Sequence, residues 1–311
     1  MNKCGKIEPI IKKRFLGKED NMSIKEVLFI LYDLGISTAT LSRLYREASE
    51  TQLNQLIEGD FLELQFSLGV FTDKEIELLS SLALIQKSME TITDLLTEFS
   101  EKNIDYYIYY EEEYPSSLKS IPLPPFFIFM QGNKSILENN FICSIVGTRN
   151  PTEQTLKQIE SVVQEMVLKD IAIASGLALG TDIQAHKCTL NNNGKTIAVL
   201  PSPILNVTPK IHKRYANEIL AKNGLLVSEY YKDNNIFKKT NYINRNRIIS
   251  GLSNAVIIAE CSEKSGTMHT ARHAYKQNKP LYCFNNNSTG VLKILDSNSA
   301  KIYTNLNDLI F

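Results

Sequence analysis

Apolar residues recur every three or four positions through the first third of the chain, between Ser23 and about Ser100. This spacing places them on one face of successive α-helices. Gly35 and Gly69 lie where helices would end, since glycine is typical of a helix C-terminus. The segments are IKEVLFILYDLG, ATLSRLYREA and DKEIELLSSLALIQKSMETITDLLTEF. The pattern predicts a small all-helical domain over residues 23–100, preceded by an N-terminal arm, residues 1–22.

The pattern changes near residue 101 to short apolar runs separated by turns. IDYYIYY and PPFFIFMQGN, joined through the acidic turn EEEYP, predict two short strands. From Phe141, short apolar runs alternate with amphipathic segments, which is typical of a mostly parallel sheet covered on both faces. The runs are FICSIV, IAIAS, KTIAVL, GLLVSE, AVIIAE and PLYCF. We therefore predict an α/β domain over residues 101–311.

Glycines, hydroxyl groups and an arginine follow three of these runs. In open α/β sheets, ligands bind outside the carboxyl ends of the strands. Glycine lets backbone N–H groups approach a phosphate there, and the N-terminus of the next helix favours negative charge. The residues are Gly147, Thr148 and Arg149 after FICSIV; Ser175, Gly176, Gly180 and Asp182 after IAIAS; and Ser265, Gly266 and Thr267 after AVIIAE. They predict a phosphate-binding rim, although each glycine alone is also explained by a tight turn.

Two arginines, Arg245 and Arg247, precede the run AVIIAE in the stretch NYINRNRIISGLSN. Fixed positive charges at the mouth of a buried strand suit a site that holds an anion. The flanking Asn244 and Asn246 favour turn geometry, so the stretch is predicted to be irregular. At least one of the two arginines is expected to point to the rim.

The charge of the chain is unevenly distributed, although the formal net charge is zero. Residues 1–140 carry a balance of −8, and residues 141–311 carry a balance of +8. Residues 209–247 contain nine basic and three acidic residues. The C-terminal half could therefore attract a polyanion, although a solvated basic face explains the charge as well.

Other features exclude several classes of protein. Apolar runs are too short to cross a membrane, and the N-terminus lacks the apolar core of a secretory signal. The five cysteines show no CxxC pairing, which indicates reduced, mostly buried thiols and a cytoplasmic protein. The motifs GxGxxG and GxxxxGK[ST] are absent, so neither a standard dinucleotide site nor an NTPase is indicated.

Six blocks, in this order and spacing, resemble the DNA-processing protein A family, also called Smf. The blocks are SIVGTRNPT, ASGLALGTDIQAH, TIAVL, GLLVSE, NRNRIISGLSNAVIIAE and SGTMHTARHA. The resemblance covers about residues 105–285 and implies an extended Rossmann-like fold, preceded by a helical domain of the SAM or helix-hairpin-helix type. It also implies protection of incoming single-stranded DNA, and loading of the recombinase RecA in natural transformation or recombination. The resemblance implies a homodimer, and it implies neither a catalytic activity nor a cofactor.

By this resemblance, DNA contacts would fall on Arg149, Arg245, Asn246 and Arg247, and on the glycine-rich turns. The chain departs from the family at Leu179, where a basic residue is usual, and at CFNNNSTG, residues 283–290. The C-terminal winged-helix domain of some members is not expected here. Leu179 is predicted to lie exposed on the rim, and its packing under a neighbouring turn is the alternative.

Several side chains suggest rival chemistry. Asp182 and His186 are spaced as an acid–base pair, or as a local hydrogen bond on one helix face. His269 and His273 have a spacing that zinc ligands use, but no third ligand accompanies them. The alternative function is a Rossmann-like nucleotide sensor or a phosphoribohydrolase. The latter's PGGxGTxxE motif is replaced by SEKSGTMHT, with Glu260 and Glu263 nearby.

Four tyrosines, at positions 106, 107, 109 and 110, have strand spacing. They predict packing within the sheet, and base stacking is the alternative.

Overall fold

A computed structural model describes residues 22–233 and 239–309. The chain forms two compact units, residues 1–99 and 100–311. Nearly all of the arm predicted at residues 1–22 lies outside the described residues. Among the helices that the structure describes, none is both long and apolar enough to cross a bilayer.

The described residues of the first unit form five helices of 7 to 11 residues and one of 20, with side chains such as Leu28, Leu31 and Leu53 fully buried. Gly35 and Gly69 end two of the helices in the left-handed conformation, with φ of 107° and 57°, as the sequence predicts. The helices are α1 (Ile24–Leu34), α2 (Thr38–Glu47), α3 (Glu50–Ile57), α4 (Leu62–Leu68), α5 (Asp73–Leu79) and α6 (Leu82–Glu101). The assignment to the SAM or helix-hairpin-helix type stays a prediction.

The second unit contains a nine-stranded sheet in the order β1-β2-β6-β5-β4-β3-β7-β8-β9. Strands β3 to β9 pair in parallel, whereas β1 pairs with β2, and β2 with β6, in antiparallel fashion. The strands are β1 (Ile104–Ile108), β2 (Phe127–Gly132), β3 (Ile142–Val146), β4 (Ala172–Ser175), β5 (Thr196–Leu200), β6 (Leu225–Ser228), β7 (Ala255–Ile258), β8 (Leu281–Cys283) and β9 (Lys301–Ile302). The α/β Rossmann-like architecture with a mostly parallel sheet is therefore confirmed.

Two apolar layers cover the two faces of this sheet. Successive residues of β3 point to opposite faces, so that Ile142 and Val146 join one layer, and Cys143 and Ile145 join the other. The helices of this unit are α7 (Ser116–Lys119), α8 (Ile136–Asn139), α9 (Glu153–Leu168), α10 (Thr181–Asn191), α11 (Lys213–Ala221), α12 (Lys239–Leu252), α13 (Thr267–Lys276) and α14 (Thr289–Asp296). Helices α12, α13 and α14 contribute to the first layer, and α9 and α10 contribute to the second.

Two further predictions concern individual residue types. The tyrosines in and just after β1 pack among aromatic side chains, as expected: the Tyr106 ring stacks 6.3 Å from that of Phe129, and the Tyr109 ring meets Tyr114 edge-on. The four described cysteines, Cys143, Cys188, Cys261 and Cys283, are buried and free. Cys4 lies outside the described residues.

Candidate functional site

Three turns meet where β3, β4 and β7 end. The backbone N–H of Thr148 donates to the carbonyl of Glu260 at 2.7 Å, which joins the turn after β3 to the turn after β7. The carbonyl of Thr148 accepts from both the backbone N–H and the hydroxyl of Thr181, each at 3.1 Å, which joins it to the start of α10. Parallel strands bring their carboxyl ends to one edge, so these segments, far apart in sequence, form one surface.

Glycine is required at two of these turns by close backbone approach. A Cβ atom at Gly147 would lie 2.5 Å from the Thr181 hydroxyl oxygen. Gly180 has φ of 77°, and a Cβ there would lie 2.4 Å from the carbonyl of Arg149. The tight-turn interpretation therefore holds at both positions, and the packing of these turns leaves an open space beside them.

That space is a cavity of about 330 Å³, which is within the range of small-ligand pockets. The turn after β3, the start of α10, one face of α12 and the start of α13 surround it. The lining residues are Val146, Gly147, Thr148, Arg149, Ala178, Asp182, Tyr242, Arg245, Asn246, Ile249, Ser265, Gly266, Thr267 and Thr270.

The stretch predicted to be irregular around the two arginines is helical, because residues 239–252 form α12. That prediction is wrong, although the asparagines favour turns locally. Tyr242, Arg245, Asn246 and Ile249 have the spacing i, i+3, i+4, i+7, so they share the face that lines the cavity. Asn246 also donates from Nδ2 to the carbonyl of Gly266, at 3.4 Å, across to the start of α13.

Arg245 is buried in the wall of the cavity, with only 2% of its surface exposed. Its Nη1 donates to the carbonyl of Gly176 at 2.7 Å and to that of Val199. A Cβ atom at Gly176 would lie 2.4 Å from the guanidinium, so this glycine makes room for the arginine. The expectation that one of the two arginines points to the strand ends is confirmed.

Arg247 points elsewhere, because two helix positions differ by about 200°. Its Nη1 and Nη2 donate to the Glu229 carboxylate at 2.8 and 2.6 Å, and its Nε donates to the carbonyl of Leu123 at 2.8 Å. Both partners of this ion pair are mostly buried, with side-chain exposures of 11% and 15%. Arg247 does not line the cavity, and its predicted contact with DNA stays a prediction that this geometry does not support.

Arg149 supplies an exposed cation at the cavity. Its guanidinium carbon lies 5.3 Å from the centre of the Tyr242 ring, which is cation–π geometry. Tyr242 was not identified from the sequence. Its position three residues before Arg245 on one helix face would have indicated it, had α12 been predicted.

Burial and charge oppose one another at Asp182, which is 6% exposed. Burial raises the pKa of its carboxyl above the ordinary value, while the nearby Arg245 guanidinium and backbone N–H groups of Ala178 and Gly176 act against that shift. Burial also lowers the pKa of Arg245, which Asp182 opposes. The cavity wall therefore holds a cation and an acid that ionises less readily than usual.

The N-terminus of α13 closes the remaining side. Ser265, Gly266 and Thr267 line the cavity there, and a Cβ atom at Gly266 would meet no atom within 4 Å. The Ser265 hydroxyl oxygen is buried, although Ser265 itself is only partly buried. Unpaired backbone N–H groups and the positive end of the helix dipole favour an anion at such a position.

Comparison with known proteins places this geometry in a family. The sequence model of DNA recombination-mediator protein A matches residues 105–311 of the chain. DNA processing protein DprA of Bacillus subtilis (strain 168) is 30% identical over 225 residues, which are 71% of this chain and 75% of that protein. The chain belongs to the DNA recombination-mediator protein A family. Proteins named for DNA processing match this chain, as do proteins named Smf.

Two solved structures extend the likeness. DNA processing protein A of Helicobacter pylori, which was described for its single-stranded DNA binding mode, has a TM-score of 0.59 and 32% identity, and the match covers 66% of this chain and 94% of that chain. DNA processing protein A of Streptococcus pneumoniae has a TM-score of 0.68 and 24% identity over 93% of this chain and 97% of that chain, which supports the fold alone.

Apart from Arg247, the residues predicted from the sequence divide into two groups. Nine of them line the cavity: Gly147, Thr148, Arg149, Asp182, Arg245, Asn246, Ser265, Gly266 and Thr267. Ser175, Gly176 and Gly180 lie behind its wall. The Ser175 hydroxyl donates to the carbonyl of Ile145 at 2.7 Å, and the two glycines accommodate Arg245 and Arg149.

His186 and Glu260, the side chains that suggested catalytic chemistry, form hydrogen bonds within the fold. The His186 Nδ1 lies 2.7 Å from the Thr196 hydroxyl, so the local bond suggested between His186 and Asp182 is replaced by one to β5. Burial lowers the pKa of His186 to about 3, which holds the ring neutral. Glu260 accepts from the Thr152 backbone N–H at 2.9 Å and from the Thr155 hydroxyl at 2.7 Å, and so caps the start of α9.

His269 and His273 lack a third ligand in the described ranges 22–233 and 239–309, where no group of His, Cys, Asp and Glu is placed to hold a metal ion.

Proposed function

We propose that the cavity binds the phosphate backbone of single-stranded DNA. The observation that carries this proposal is the convergence of Arg149, Arg245 and the N-terminus of α13 on one open space. Arg149 supplies an exposed charge, Arg245 a buried charge fixed by backbone carbonyls, and Gly266 a place where a phosphate oxygen can approach the backbone. Preorganised donors lose little entropy on binding, so they suit a repeating phosphate ligand.

The family supports this proposal from a second direction. The Helicobacter pylori relative is described as binding single-stranded DNA, and its match to this chain covers 94% of its length. By extension, this protein protects incoming single-stranded DNA and promotes loading of RecA in natural transformation or recombination. It acts in the cytoplasm as a homodimer, without catalysing a reaction on the DNA.

Salt dependence tests the phosphate contacts directly. We expect the logarithm of the affinity for oligo(dT) to fall with the logarithm of salt concentration by about 0.7 per phosphate contact. Arg149→Ala removes an exposed cation, so it should reduce that slope by about 0.7 without changing the melting temperature. Lys169→Ala removes an exposed charge at the far end of α9 and serves as the matched control. A slope near zero for the unmodified protein would reject the phosphate site.

A small nucleotide is the second candidate ligand, since a cavity of about 330 Å³ is within the range of small-ligand pockets. The same titration with adenosine nucleotides separates the two candidates. Tight binding of a mononucleotide that oligo(dT) does not displace would favour a nucleotide sensor, and release of a free base would favour a phosphoribohydrolase.

Two assays address the wider role. The protein should slow digestion of single-stranded DNA by an exonuclease, and it should accelerate assembly of RecA on single strands. Arg149→Ala should weaken both effects in proportion to its loss of DNA affinity. Acceleration by a variant that does not bind DNA would show that RecA loading does not depend on the cavity.

A further inference from the structure

A basic surface lies beside the cavity, on the outer side of α10 and α11. It consists of Lys187 on α10, Lys210 and Ile211 in the short 3₁₀ turn Lys210–His212, and Lys213, Arg214 and Tyr215 on α11. We call these six residues the α10–α11 surface. Lys210, Lys213 and Arg214 are exposed.

Tyr215 orders two of these cations. The Lys187 ammonium lies 5.1 Å and the Arg214 guanidinium carbon 4.6 Å from the centre of the Tyr215 ring. Arg214 also donates from Nη2 to the Tyr215 hydroxyl at 2.7 Å. Cation–π contacts hold a charge in place without neutralising it, in contrast to an ion pair with a carboxylate. Both cations therefore stay available to an anion.

Ion pairs do not offset this charge among the described residues. The nearby Glu218 pairs with Lys222 at 3.4 Å, one turn further along α11. In the part of the chain that the structure describes, Lys187, Lys210, Lys213 and Arg214 form no ion pair. Four positive charges on one small, uncompensated surface generate a field that attracts a polyanion.

A hydrogen bond links the α10–α11 surface to a turn that borders the cavity. The His212 Nδ1 lies 2.7 Å from the carbonyl of Leu177, which fastens the start of α11 to the turn after β4. The next residue of that turn, Ala178, lines the cavity, and Leu179 is exposed. One short turn therefore separates the two sites, with no acidic side chain between residues 177 and 179.

An apolar side chain accompanies the charges. Ile211 is 70% exposed, although isoleucine is usually buried. An unpaired base presents an apolar face that a duplex hides by stacking, so an exposed aliphatic group within a basic surface suits a single strand better than a duplex.

We propose that the single strand held in the cavity continues across the α10–α11 surface, where Lys187, Lys210, Lys213 and Arg214 contact its phosphates and Ile211 contacts a base. This proposal rests on the proposed function of the cavity. It adds a second segment of the DNA path and predicts that affinity depends on strand length.

The test compares oligo(dT) of about 4 and about 16 nucleotides, which span the site sizes of common single-strand-binding folds. The double variant Lys213→Ala/Arg214→Ala should bind the short strand as the unmodified protein does. Its affinity for the long strand should fall several-fold, and the salt slope for that strand should fall by about 1.4, for two lost contacts. The control Lys169→Ala/Lys276→Ala removes two exposed charges at the C-terminal ends of α9 and α13. It should change neither the affinity for the long strand nor its salt slope.

Substitution of Tyr215 tests the ordering of the cations without removing a charge. Tyr215→Leu should weaken long-strand binding, because Lys187 and Arg214 lose the ring that positions them. Tyr215→Phe keeps the ring, so it should retain most of the affinity. Melting curves of both variants separate this effect from loss of fold.

The outcomes distinguish the two proposals. If the unmodified protein binds neither strand, the proposed function fails. If it binds both and the double variant binds the long strand equally well, the α10–α11 surface serves another partner, such as an acidic protein, and this inference is overturned. An equal loss for short and long strands overturns it too, because the surface would then act through the cavity.

Discussion

Arg245 and Arg247 lie two residues apart on α12, yet their guanidinium groups enter different surroundings. Arg245 is held by the carbonyls of Gly176 and Val199 in the wall of the cavity. Arg247 is held by two oxygens of the Glu229 carboxylate, away from the cavity. Burial acts to lower the pKa of Arg247, but the hydrogen bonds and charge of Glu229 outweigh it, so that pKa is raised. The pKa of Arg245 is lowered, because burial prevails there.

The difference separates two uses of a buried charge. A guanidinium matched by a carboxylate has its charge neutralised locally, so it fixes the packing of α12 and offers little to a ligand. Arg245 is held by carbonyl dipoles, and the nearby Asp182 carboxyl ionises less readily than usual, so the guanidinium charge is matched less completely than that of Arg247. The same residue type on one helix can therefore stabilise the fold at one position and form the site at another.

The largest effect is expected from Arg247→Ala. Removing one partner of a mostly buried ion pair leaves the Glu229 carboxylate without its partner, which costs about 3 kcal/mol of folding free energy. Denaturant unfolding measures this loss, while the affinity for oligo(dT) per folded molecule should stay unchanged.

A double variant sharpens that prediction. Arg247→Met/Glu229→Leu replaces both charges by apolar groups, so it should recover much of the lost stability. Intact stability in Arg247→Ala, together with weaker DNA binding, would place Arg247 in the DNA interface and remove the contrast with Arg245.

Gly176→Ala is expected to have the next largest effect, because it moves Arg245. The added methyl group would lie 2.4 Å from the guanidinium, which must leave its carbonyl partners. We expect a loss of about 2 kcal/mol in stability, as overpacking commonly causes, together with weaker binding of oligo(dT). Both are measured on the same sample, by unfolding and by fluorescence anisotropy.

Gly266→Ala, at the start of α13, is the control for the loss of stability. A methyl group there meets no atom within 4 Å, so stability should change by less than about 0.5 kcal/mol. Binding should still weaken, because the methyl group crowds a phosphate near the backbone N–H of α13. Unchanged binding in both glycine variants would show that the strand does not enter the cavity.

The third effect is a pH dependence of binding, which we expect from Asp182 in the cavity. Burial raises the pKa of Asp182, and a bound phosphate would raise it further through charge repulsion. The complex then holds the Asp182 proton more firmly than the free protein does, so affinity should rise as the pH falls toward the raised pKa of Asp182. Asp182→Asn should flatten this dependence. An equal pH dependence in Asp182→Asn would assign it to other groups.

The strands and most helices of the second unit could be predicted from the sequence, because buried parallel strands are short apolar runs and the helices between them are amphipathic. FICSIV contains β3, IAIAS contains β4 and AVIIAE contains β7. The two-residue β9 was too short to give such a signal.

Helix α12 escaped prediction for a physical reason that concerns the site itself. One of its faces carries Tyr242, Arg245 and Asn246 toward the polar cavity, so polar residues occupy positions that are apolar in a core helix. The hydrophobic stripe is therefore interrupted where the function lies. The turns of the rim were found because glycine and strand ends mark them, whereas the pairing of Arg247 with Glu229 depends on contacts that no local pattern reveals.

The smallest effect is expected from Leu179→Arg, which would place a third arginine at the rim, beside Arg149 and Arg245. Leu179 is 46% exposed, as predicted for the rim, so arginine should fit there with a stability change within about 0.5 kcal/mol. Position 179 lies between the cavity and the α10–α11 surface, so the new charge should increase the magnitude of the salt slope by about 0.7.

Leu179→Gln, of similar length but uncharged, controls for lost apolar surface and should leave the slope unchanged. A melting temperature several degrees lower, with no gain in affinity at low salt, would mean that Leu179 packs against the rim. An arginine at position 179 would then destabilise the fold, because its charge would be buried without a partner. Arg245 and Arg247 avoid that cost through their carbonyl and carboxylate partners.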